Sequence, residues 1–244
     1  MKSLILAAGY ATRMFPLTKN FPKPLLEVGG KTILDRLIAD IDKIELVNQH
    51  IIVTNDVFYP YFLAWKARSM YKNEIVIVND GTTDNDNRLG AVRDILYVIE
   101  NLCVNDDLLV VAGDNVVTFS FKDFVLFALK KGTSCITCHY EQSIPALQKT
   151  GVLLADNNFK VLGMFEKPEI PPSNWAVPPF YYYKASDLKI IEKALAGGCG
   201  FDAPGNLIAW LYKQTDVYAW ELNGERYDIG DIAGYESVCK IFEK

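Results

Sequence analysis

Apolar residues in the first half of the chain form short continuous runs that alternate with stretches of helical spacing. Residues 2–8 form an apolar run of strand length, whereas Ile33, Leu37 and Ile41 recur at helical spacing within residues 31–46. The same criteria predict further strands at 50–54, 74–78 and 107–112, and helices at 57–71, 89–102 and 120–130. Strands that alternate with helices predict a mostly parallel sheet with helices on both faces.

The second half of the chain is less regular. Its predicted strands are 133–140, 151–155, 159–165, 177–183 and 216–221, and its predicted helices are 186–196, 204–213 and 231–242. No Pro-, Gly- or Ser-rich linker separates the two halves. We therefore expect a single α/β domain over residues 1–244, with three α/β/α layers and a small antiparallel addition to a mixed, mostly parallel central sheet.

Composition excludes several classes of protein. The chain has 244 residues, of which 50% are hydrophobic and 23% charged, which argues against a disordered or fibrous protein. The net charge is −5, so the chain lacks the excess of Lys and Arg that is typical of nucleic-acid-binding proteins. Because no apolar run reaches about 18 residues, we expect no membrane span, and the short apolar N-terminus does not predict a secretory signal. Five scattered cysteines favour reduced thiols and a cytoplasmic location.

One cysteine pair matches a cofactor pattern. Cys135, Cys138 and His139 have the C-x-x-C-H spacing of haem attachment. The surrounding residues are β-branched and aromatic, which favours a buried strand instead.

The loop after the first strand is rich in small residues and is followed by cations. Ala7, Ala8, Gly9 and Ala11 leave backbone N–H groups open to a phosphate, although the spacing is neither that of a Walker loop nor G-x-G-x-x-G. Arg13 follows directly. Further along, Lys23 lies between two prolines that restrict its backbone, although an isolated lysine in such a turn is more often simply solvated.

The stretch from residue 6 to residue 25, L-A-A-G-x-x-T-R-x-x-P-L-T-x-x-x-P-K-P-L, resembles the signature of sugar-1-phosphate nucleotidyltransferases. That family includes glucose-1-phosphate thymidylyl- and uridylyltransferases and is related to choline-phosphate cytidylyltransferases. The resemblance implies a Rossmann-like nucleotidyltransferase fold. Ala11 stands where the family usually has glycine, and alanine fits there if its φ is negative. The resemblance assigns nucleotide binding to Leu6, Ala7, Ala8, Gly9, Ala11, Thr12, Arg13 and Lys23.

Two aspartates resemble the metal ligands of the family. Asp114, in Gly-Asp-Asn after a predicted strand, resembles the aspartate that binds catalytic Mg²⁺, although a simple turn or helix cap is an alternative for it. Asp228 lies in R-Y-D-I-G-D, which resembles the family element W-x-D-[TIV]-G and implies a second metal carboxylate. We interpret Asp231 as the cap of the last helix.

Other segments resemble the sugar- and base-recognition elements of the family. Phe-Glu-Lys-Pro resembles its E-K-P element and implies that Glu166 contacts sugar hydroxyls and Lys167 the sugar phosphate, with Gly151 at the sugar. Asn85 and Gly90 keep the spacing of its base-recognition amide and glycine, although a capping cluster explains these residues equally well. The base, whether of dTTP, UTP or CTP, stays open.

Together, these resemblances predict an enzyme of the EC 2.7.7 type. It would make an NDP-sugar and pyrophosphate from an NTP and a sugar-1-phosphate with Mg²⁺, using Arg13, Lys23 and Asp114 in catalysis. Nucleotide binding is expected in residues 1–130 and phospho-sugar binding in 131–244, and a homo-oligomer is left open. We expect no acyltransferase extension. The alternatives are a CTP-dependent enzyme acting on phosphocholine or a similar phospho-alcohol, and a non-catalytic nucleotide-sugar-binding relative.

Overall fold

Strands and helices alternate through the first half of the computed structural model, which describes residues 1–243. The strands are β1 (Lys2–Leu6), β2 (Glu27–Val28), β3 (Lys31–Thr32), β4 (Gln49–Thr54), β5 (Glu74–Asn79), β6 (Leu108–Ala112), β7 (Asn115–Val117), β8 (Cys135–Tyr140), β9 (Gly151–Ala155), β10 (Val161–Glu166), β11 (Trp175–Val177), β12 (Phe180–Tyr183), β13 (Tyr218–Glu221) and β14 (Arg226–Asp228). The α-helices are α1 (Ile33–Ile41), α2 (Tyr59–Arg68), α3 (Ala91–Asn101), α4 (Phe121–Lys131), α5 (Ile144–Leu147), α6 (Ala185–Leu188), α7 (Ile191–Ala196), α8 (Gly205–Leu211) and α9 (Ile232–Phe242).

The start of α1 shows why predicted boundaries shift by a few residues. The sequence pattern predicted a helix from residue 31, but Lys31–Thr32 forms β3, which pairs with β2. The Thr32 side chain then accepts from the backbone N–H of Asp35, and the Asp35 carboxylate accepts from the N–H of Thr32. This capping box satisfies two otherwise unpaired donors and starts the helix at Ile33.

Packing divides the chain into two units. The first contains residues 1–88, 111–122 and the stretch from 223 onward. In it, β1 pairs in parallel with β4, and β4 pairs in parallel with β5. The side chains of Ile5, Ile52 and Phe62 are fully buried in one core cluster of this unit. The unit therefore has the parallel strands and covering helices that the first half of the sequence predicted.

The second unit contains residues 89–110 and 123–222. Its strands follow the order β10-β9-β11-β8-β12, with antiparallel pairing at every contact for which a register is defined, and β13 pairs in parallel with β8. The strand predicted over 177–183 is two strands, β11 and β12, because Pro178-Pro179 interrupts it. The α/β class with a mixed sheet is confirmed, whereas the functional division at residue 130 stays a prediction.

Both cysteines of the C-x-x-C-H pattern lie in the core. Cys135 and Cys138 lie on β8 with no exposed surface, and burial raises the pKa of each thiol to about 12, so both stay protonated at neutral pH. Trp65 and the three tyrosines of β12 are also buried. No helix among residues 1–243 combines the length and apolarity that crossing a membrane requires.

A serine, a histidine and an aspartate form a hydrogen-bonded chain in the first unit. Nε2 of His50 donates to Oδ1 of Asp42, 2.8 Å away, and Nδ1 of the same ring lies 2.7 Å from the hydroxyl oxygen of Ser3. Asn73 donates to the same oxygen of Asp42. Ser3 and His50 are fully buried, so no substrate reaches this serine. The chain joins β1 and β4 to the end of α1, which gives His50 a structural role.

We predict that His50→Leu lowers the free energy of unfolding by about 2–4 kcal/mol, because the hydroxyl of Ser3 and the carboxylate of Asp42 lose a buried partner. Denaturant unfolding followed by circular dichroism measures the change. Lys43→Ala is the control, since its ion pair with Asp40 is exposed and we expect a loss below about 0.5 kcal/mol. Equal midpoints for the two variants would contradict the structural role of His50.

Candidate functional site

The beginning of the loop after β1 is tied to the neighbouring strand. The backbone N–H of Ala7 donates to the carbonyl of Val53 at 2.9 Å, and the side-chain amide of Asn55 donates to the carbonyl of Ala8 at 3.0 Å. Ala7 and Ala8 are buried. These contacts make Ala7 and Ala8, and Leu6 at the end of β1, the rigid base of the loop.

The loop becomes open from Gly9 onward. Gly9 is exposed, and a Cβ built on it would meet no atom within 4 Å. The four backbone N–H groups of residues 9–12 make no hydrogen bond with any described residue. Thr12 and Arg13 are exposed at the end of this stretch, in a short 3-10 helix over Thr12–Met14. The loop thus presents consecutive unpaired donors beside a cation, an arrangement suited to a phosphate.

Ala11 adopts the left-handed conformation, with φ 46° and ψ 43°. The negative φ on which the fit of alanine depended is therefore not present, yet alanine occupies the position. The reason is visible in its carbonyl oxygen, which accepts from the buried hydroxyl of Thr18 at 2.8 Å and from the N–H of Met14 at 2.9 Å. Two hydrogen bonds hold a conformation that costs a non-glycine residue about 1–2 kcal/mol.

Lys23 and Asp114 form an ion pair. Lys23 lies in a 3-10 helix over Lys23–Leu25 that begins after Pro22, and only 7% of the residue is exposed. Its Nζ lies 2.8 Å from Oδ2 of Asp114, in the turn after β6. Nearby, the N–H of Gly113 donates to the carbonyl of Leu6 at 2.9 Å, which brings the ends of β1 and β6 together. Lys23 is therefore not the solvated lysine of an ordinary turn.

The carboxylate of Asp114 lies in a recess that is crowded by protein yet open at one side. Burial raises its pKa, but the charge and the hydrogen bond of Lys23, with the charge of Arg226, outweigh burial and hold the pKa below its usual range. The side chain remains 38% exposed. Asp114 is therefore ionised at neutral pH and accessible to a ligand.

Asp228 lies beside Asp114 in the same unit. β14 pairs with β7 so that Asp228 is opposite Asn115, and the N–H of Ile229 donates to the carbonyl of Asp114. Nη2 of Arg226 lies 3.1 Å from Oδ2 of Asp228. The pairing brings the two predicted metal ligands to one edge. Asp231 instead caps α9 by accepting from the N–H of Gly234, as predicted.

The donor set of Asp114 and Asp228 fits Mg²⁺. Both are carboxylates, and Mg²⁺ in proteins is commonly held by one or two carboxylates, several waters and substrate phosphates. No group of three or more His, Cys, Asp or Glu suited to a metal occurs within residues 1–243. Waters or substrate oxygens would therefore supply the remaining ligands.

The loop that carries Asn85 supports itself. Asp84 accepts from the N–H groups of Asp86 and Asn87, and Asn87 accepts from those of Thr83 and Asp84. The Asn85 side chain makes no hydrogen bond within the described part of the chain. The Asn/Asp cluster thus orders its own turn rather than capping α3, and leaves the amide of Asn85 available to a ligand.

Gly90 belongs to the second unit and has a clear packing role. Its φ is 87°, and a Cβ there would lie 2.7 Å from the carbonyl oxygen of Phe201 and 2.9 Å from Cα of Asp202. The first N–H groups of α3 donate to the carbonyls of the same two residues. Packing therefore accounts for this glycine, and its predicted contact with a nucleotide stays a prediction.

Glu166 lies in a niche formed by two glycines of the second unit. It is opposite Gly151 across the antiparallel pair of β9 and β10. A Cβ on Gly205 would overlap Oε2 of Glu166 and would lie 2.9 Å from Cε of Met164. The absence of a side chain at Gly205 leaves the space that the carboxylate occupies, whereas a Cβ on Gly151 would lie 3.5 Å from Oε2 of Glu166 and only 2.5 Å from Cε of Met164.

The carboxylate of Glu166 is largely buried without a partner. It has no hydrogen bond or ion pair among the described residues, and burial raises its pKa despite the neighbouring charge of Lys167. Lys167 is exposed, and its φ of 48° directs the chain out of β10. A carboxylate of this kind gains most from a ligand that supplies hydroxyl donors.

Several contributors to the site received no role from the sequence. Arg226, Asn115 and Thr18 stood within recognised motifs, so a signal was present but their contacts were not predictable. Gly205 had no signal, because its importance arises from contact with Glu166, which is distant in sequence.

Comparison with known proteins places these features in a wider context. The family model described as Nucleotidyl transferase matches residues 2–242. The chain is 30% identical over 232 residues to the bifunctional protein GlmU of Methanococcus aeolicus, covering 94% of this chain and 51% of that protein. It is 25% identical over 253 residues to a glucose-1-phosphate adenylyltransferase of Fervidobacterium nodosum, covering 95% and 59%. The chain thus spans little more than half the length of these relatives.

The fold is also similar to solved structures. The UDP-glucose pyrophosphorylase complexed with UDP-glucose superposes with a TM-score of 0.83 at 22% identity, covering 99% of this chain and 97% of that chain. The UTP-bound enzyme of Acinetobacter baumannii gives 0.80 at 18% identity, covering 99% and 92%. At these identities the likeness establishes the fold.

We predict that Ala11→Gly raises the free energy of unfolding by about 0.5–1 kcal/mol, because glycine removes the cost of the left-handed conformation and gives back part of the gain as unfolded-state entropy. Thermal and denaturant unfolding measure it. Ala8→Gly is the matched control in the same loop; its φ is not positive, so we expect it to lower stability. Destabilisation by both changes would show that Ala11 is not strained.

Proposed function

The chain belongs to the nucleotidyl transferase family, and we propose on that premise that it transfers a nucleotidyl group from an NTP to a sugar-1-phosphate, releasing pyrophosphate. An oxygen of the sugar phosphate attacks the α-phosphorus, the bond from that phosphorus to the bridging oxygen breaks, and pyrophosphate leaves. Both reactants are anions, so positioning and neutralisation of charge supply most of the rate.

The main support for the proposal is the arrangement of residues at the edge of the first unit, where the loop after β1 and Asp114 come together. Consecutive unpaired N–H groups from Gly9 to Thr12, the exposed Arg13 and the buried Lys23 provide donors and positive charge for phosphates. In this proposal the N–H groups hold the triphosphate, and Arg13 neutralises the leaving pyrophosphate. Lys23 contacts the α-phosphate and the attacking phosphate.

Magnesium is part of the proposal because the two carboxylates fit it. Asp114 and Asp228 would hold the ion, which when bound polarises the α-phosphate. In the ligand-free protein Nζ of Lys23 lies 2.8 Å from Oδ2 of Asp114 and holds the pKa of that carboxyl below its usual range. The chain's own cations then orient the phosphates around that carboxylate.

The niche of Glu166 supports a polyhydroxyl acceptor. A half-buried carboxylate with no partner among the described residues, flanked by Gly151 and Gly205, suits a sugar ring that donates hydroxyl groups to it. Lys167 is assigned to the phosphate of the same acceptor, and Gly151 to the contact with its ring.

The free amide of Asn85 supports recognition of a base. An amide supplies a donor and an acceptor together and can pair with a pyrimidine edge. We therefore propose a pyrimidine NTP. A cytoplasmic location is part of the same proposal.

Pyrophosphate release tests the reaction. We expect a signal from one pair in a matrix of dTTP, UTP, CTP, ATP and GTP against sugar-1-phosphates and phosphocholine, with Mg²⁺. Arg13→Ala and Asp114→Ala should each lower kcat by about 10²–10³, because each removes a charge at the reacting phosphates. Lys19→Ala, an exposed cation in the same loop, is the matched control and should retain the rate.

The matrix also distinguishes the alternatives. A signal with CTP and phosphocholine would replace the sugar by a phospho-alcohol. Binding of NTP by calorimetry without turnover for any pair would contradict catalysis and indicate a binding protein.

We predict opposite effects of Glu166→Gln on stability and on substrate affinity. Because burial raises the pKa of Glu166 in the folded protein, its ionised form costs stability at neutral pH; that cost shrinks as the pH falls through the raised pKa and is gone below the pKa of the unfolded chain. The amide removes the cost and should raise the thermal midpoint at pH 7. It should weaken sugar-phosphate binding at least about tenfold, because hydrogen bonds to a charged acceptor contribute about 1.5–3 kcal/mol.

Thermal unfolding at pH 7 and pH 5 and calorimetric titration with the sugar-1-phosphate measure both effects. The midpoint difference between Glu166→Gln and wild type should shrink at pH 5. Glu169→Gln is the control, since Glu169 is exposed in the adjoining loop and should change neither quantity. Unchanged affinity in Glu166→Gln would remove Glu166 from the acceptor site.

A further inference from the structure

Each of the two carboxylates assigned to the metal already has a cation of the protein beside it. Nζ of Lys23 lies 2.8 Å from Oδ2 of Asp114, and Nη2 of Arg226 lies 3.1 Å from Oδ2 of Asp228. Two negative and two positive side chains therefore form a cluster of zero net charge. Both cations are sheltered, with 8% of the Lys23 side chain and 15% of the Arg226 side chain exposed.

Arg226 is also linked to Asp114, through the side-chain amide of Asn115. Its Nε donates to Oδ1 of Asn115 at 2.6 Å, and Nδ2 of Asn115 donates to Oδ1 of Asp114 at 2.7 Å. Asn115 is fully buried, so this bridge is shielded from water. Both oxygens of Asp114 thus have donors, Oδ1 from Asn115 and Oδ2 from Lys23.

These contacts disfavour the binding of a divalent cation in the absence of a nucleotide. It would meet a cluster with no net negative charge, two nearby positive groups and a carboxylate whose oxygens are both occupied. Like charges within a few ångströms in a partly buried site repel strongly. A triphosphate reverses this balance, because its oxygens offer Lys23 and Arg226 new anionic partners and give the metal further ligands.

We propose, as an extension of the proposed function, that Lys23 and Arg226 neutralise the carboxylate pair in the ligand-free protein, so that a divalent cation binds there only together with the phosphates of a nucleotide. Arg226 is then a positioning residue, which orients Asp228 directly and Asp114 through Asn115. The species that the protein recognises is the metal–nucleotide complex rather than the free ion.

Binding of Mn²⁺, followed by the loss of the electron paramagnetic resonance signal of the free ion, tests this directly. Mn²⁺ shares the preference of Mg²⁺ for oxygen ligands. Wild-type protein with MnCl₂ alone should retain little Mn²⁺, and addition of UTP, CTP or dTTP should produce binding beyond that of the nucleotide by itself. Arg226→Met keeps the length of the side chain without its charge and should bind Mn²⁺ without nucleotide at least about tenfold more tightly than wild type.

Control variants separate charge from disruption of the fold. Arg226→Lys should behave as wild type, and adding Asp228→Asn to Arg226→Met should abolish the gained affinity. Lys23→Met tests the same effect at Asp114 if Arg226→Met unfolds, which circular dichroism will reveal. Mn²⁺ binding to wild type without nucleotide that equals that of the folded methionine variant would overturn the inference.

The two proposals fail in different ways. If no nucleotide promotes Mn²⁺ binding to wild type, and pyrophosphate release is also absent, nucleotidyl transfer and the nucleotide-dependent half of the inference fail together. The gain in Arg226→Met would still establish neutralisation of the carboxylates. If turnover is present but wild type binds Mn²⁺ alone, the inference fails and the proposed function stands.

Discussion

The ion pair between Lys23 and Asp114 is the interaction on which the first unit's edge depends. A lysine with 7% exposure requires an anionic partner, since a buried unpaired charge costs several kcal/mol. The partner lies in the turn after β6, so the pair joins that turn to the loop after β1. The prolines around Lys23 restrict its backbone, and the hydrogen bond from Gly113 to Leu6 holds the strand ends at the required separation.

Charge compensation extends from this pair across the edge. Asn115 connects Asp114 to Arg226, and Arg226 is paired in turn with Asp228. The resulting cluster is stable without a ligand because every member has a partner, which satisfies the requirement for buried polar networks. Because both carboxylates already have cationic partners, our proposal is that they bind a metal ion only when an anion binds to those cations.

The second unit follows the opposite principle at Glu166. Its carboxylate is largely buried with no partner among the described residues, and the raised pKa expresses the cost of that arrangement. Gly205 permits it by carrying no side chain. A group that is poorly solvated in the free protein binds hydroxyl donors more strongly than a solvated one, and this difference is the basis of the acceptor-binding role that we propose for Glu166.

The sequence by itself determined the order of most strands and helices, because apolar spacing and capping residues are local properties. It also identified the family, since the residues of the N-terminal signature are close together in the chain. It did not determine that Ala11 is left-handed, because that conformation depends on the hydroxyl of Thr18 seven residues away. Nor did it predict that Lys23 and Arg226 neutralise the two aspartates, or that Gly205 makes room for Glu166. Those properties depend on residues that are far apart in the sequence and come close together only in the folded chain. Electrostatic attraction and steric overlap depend on the distance between atoms in space, which the order of residues does not give.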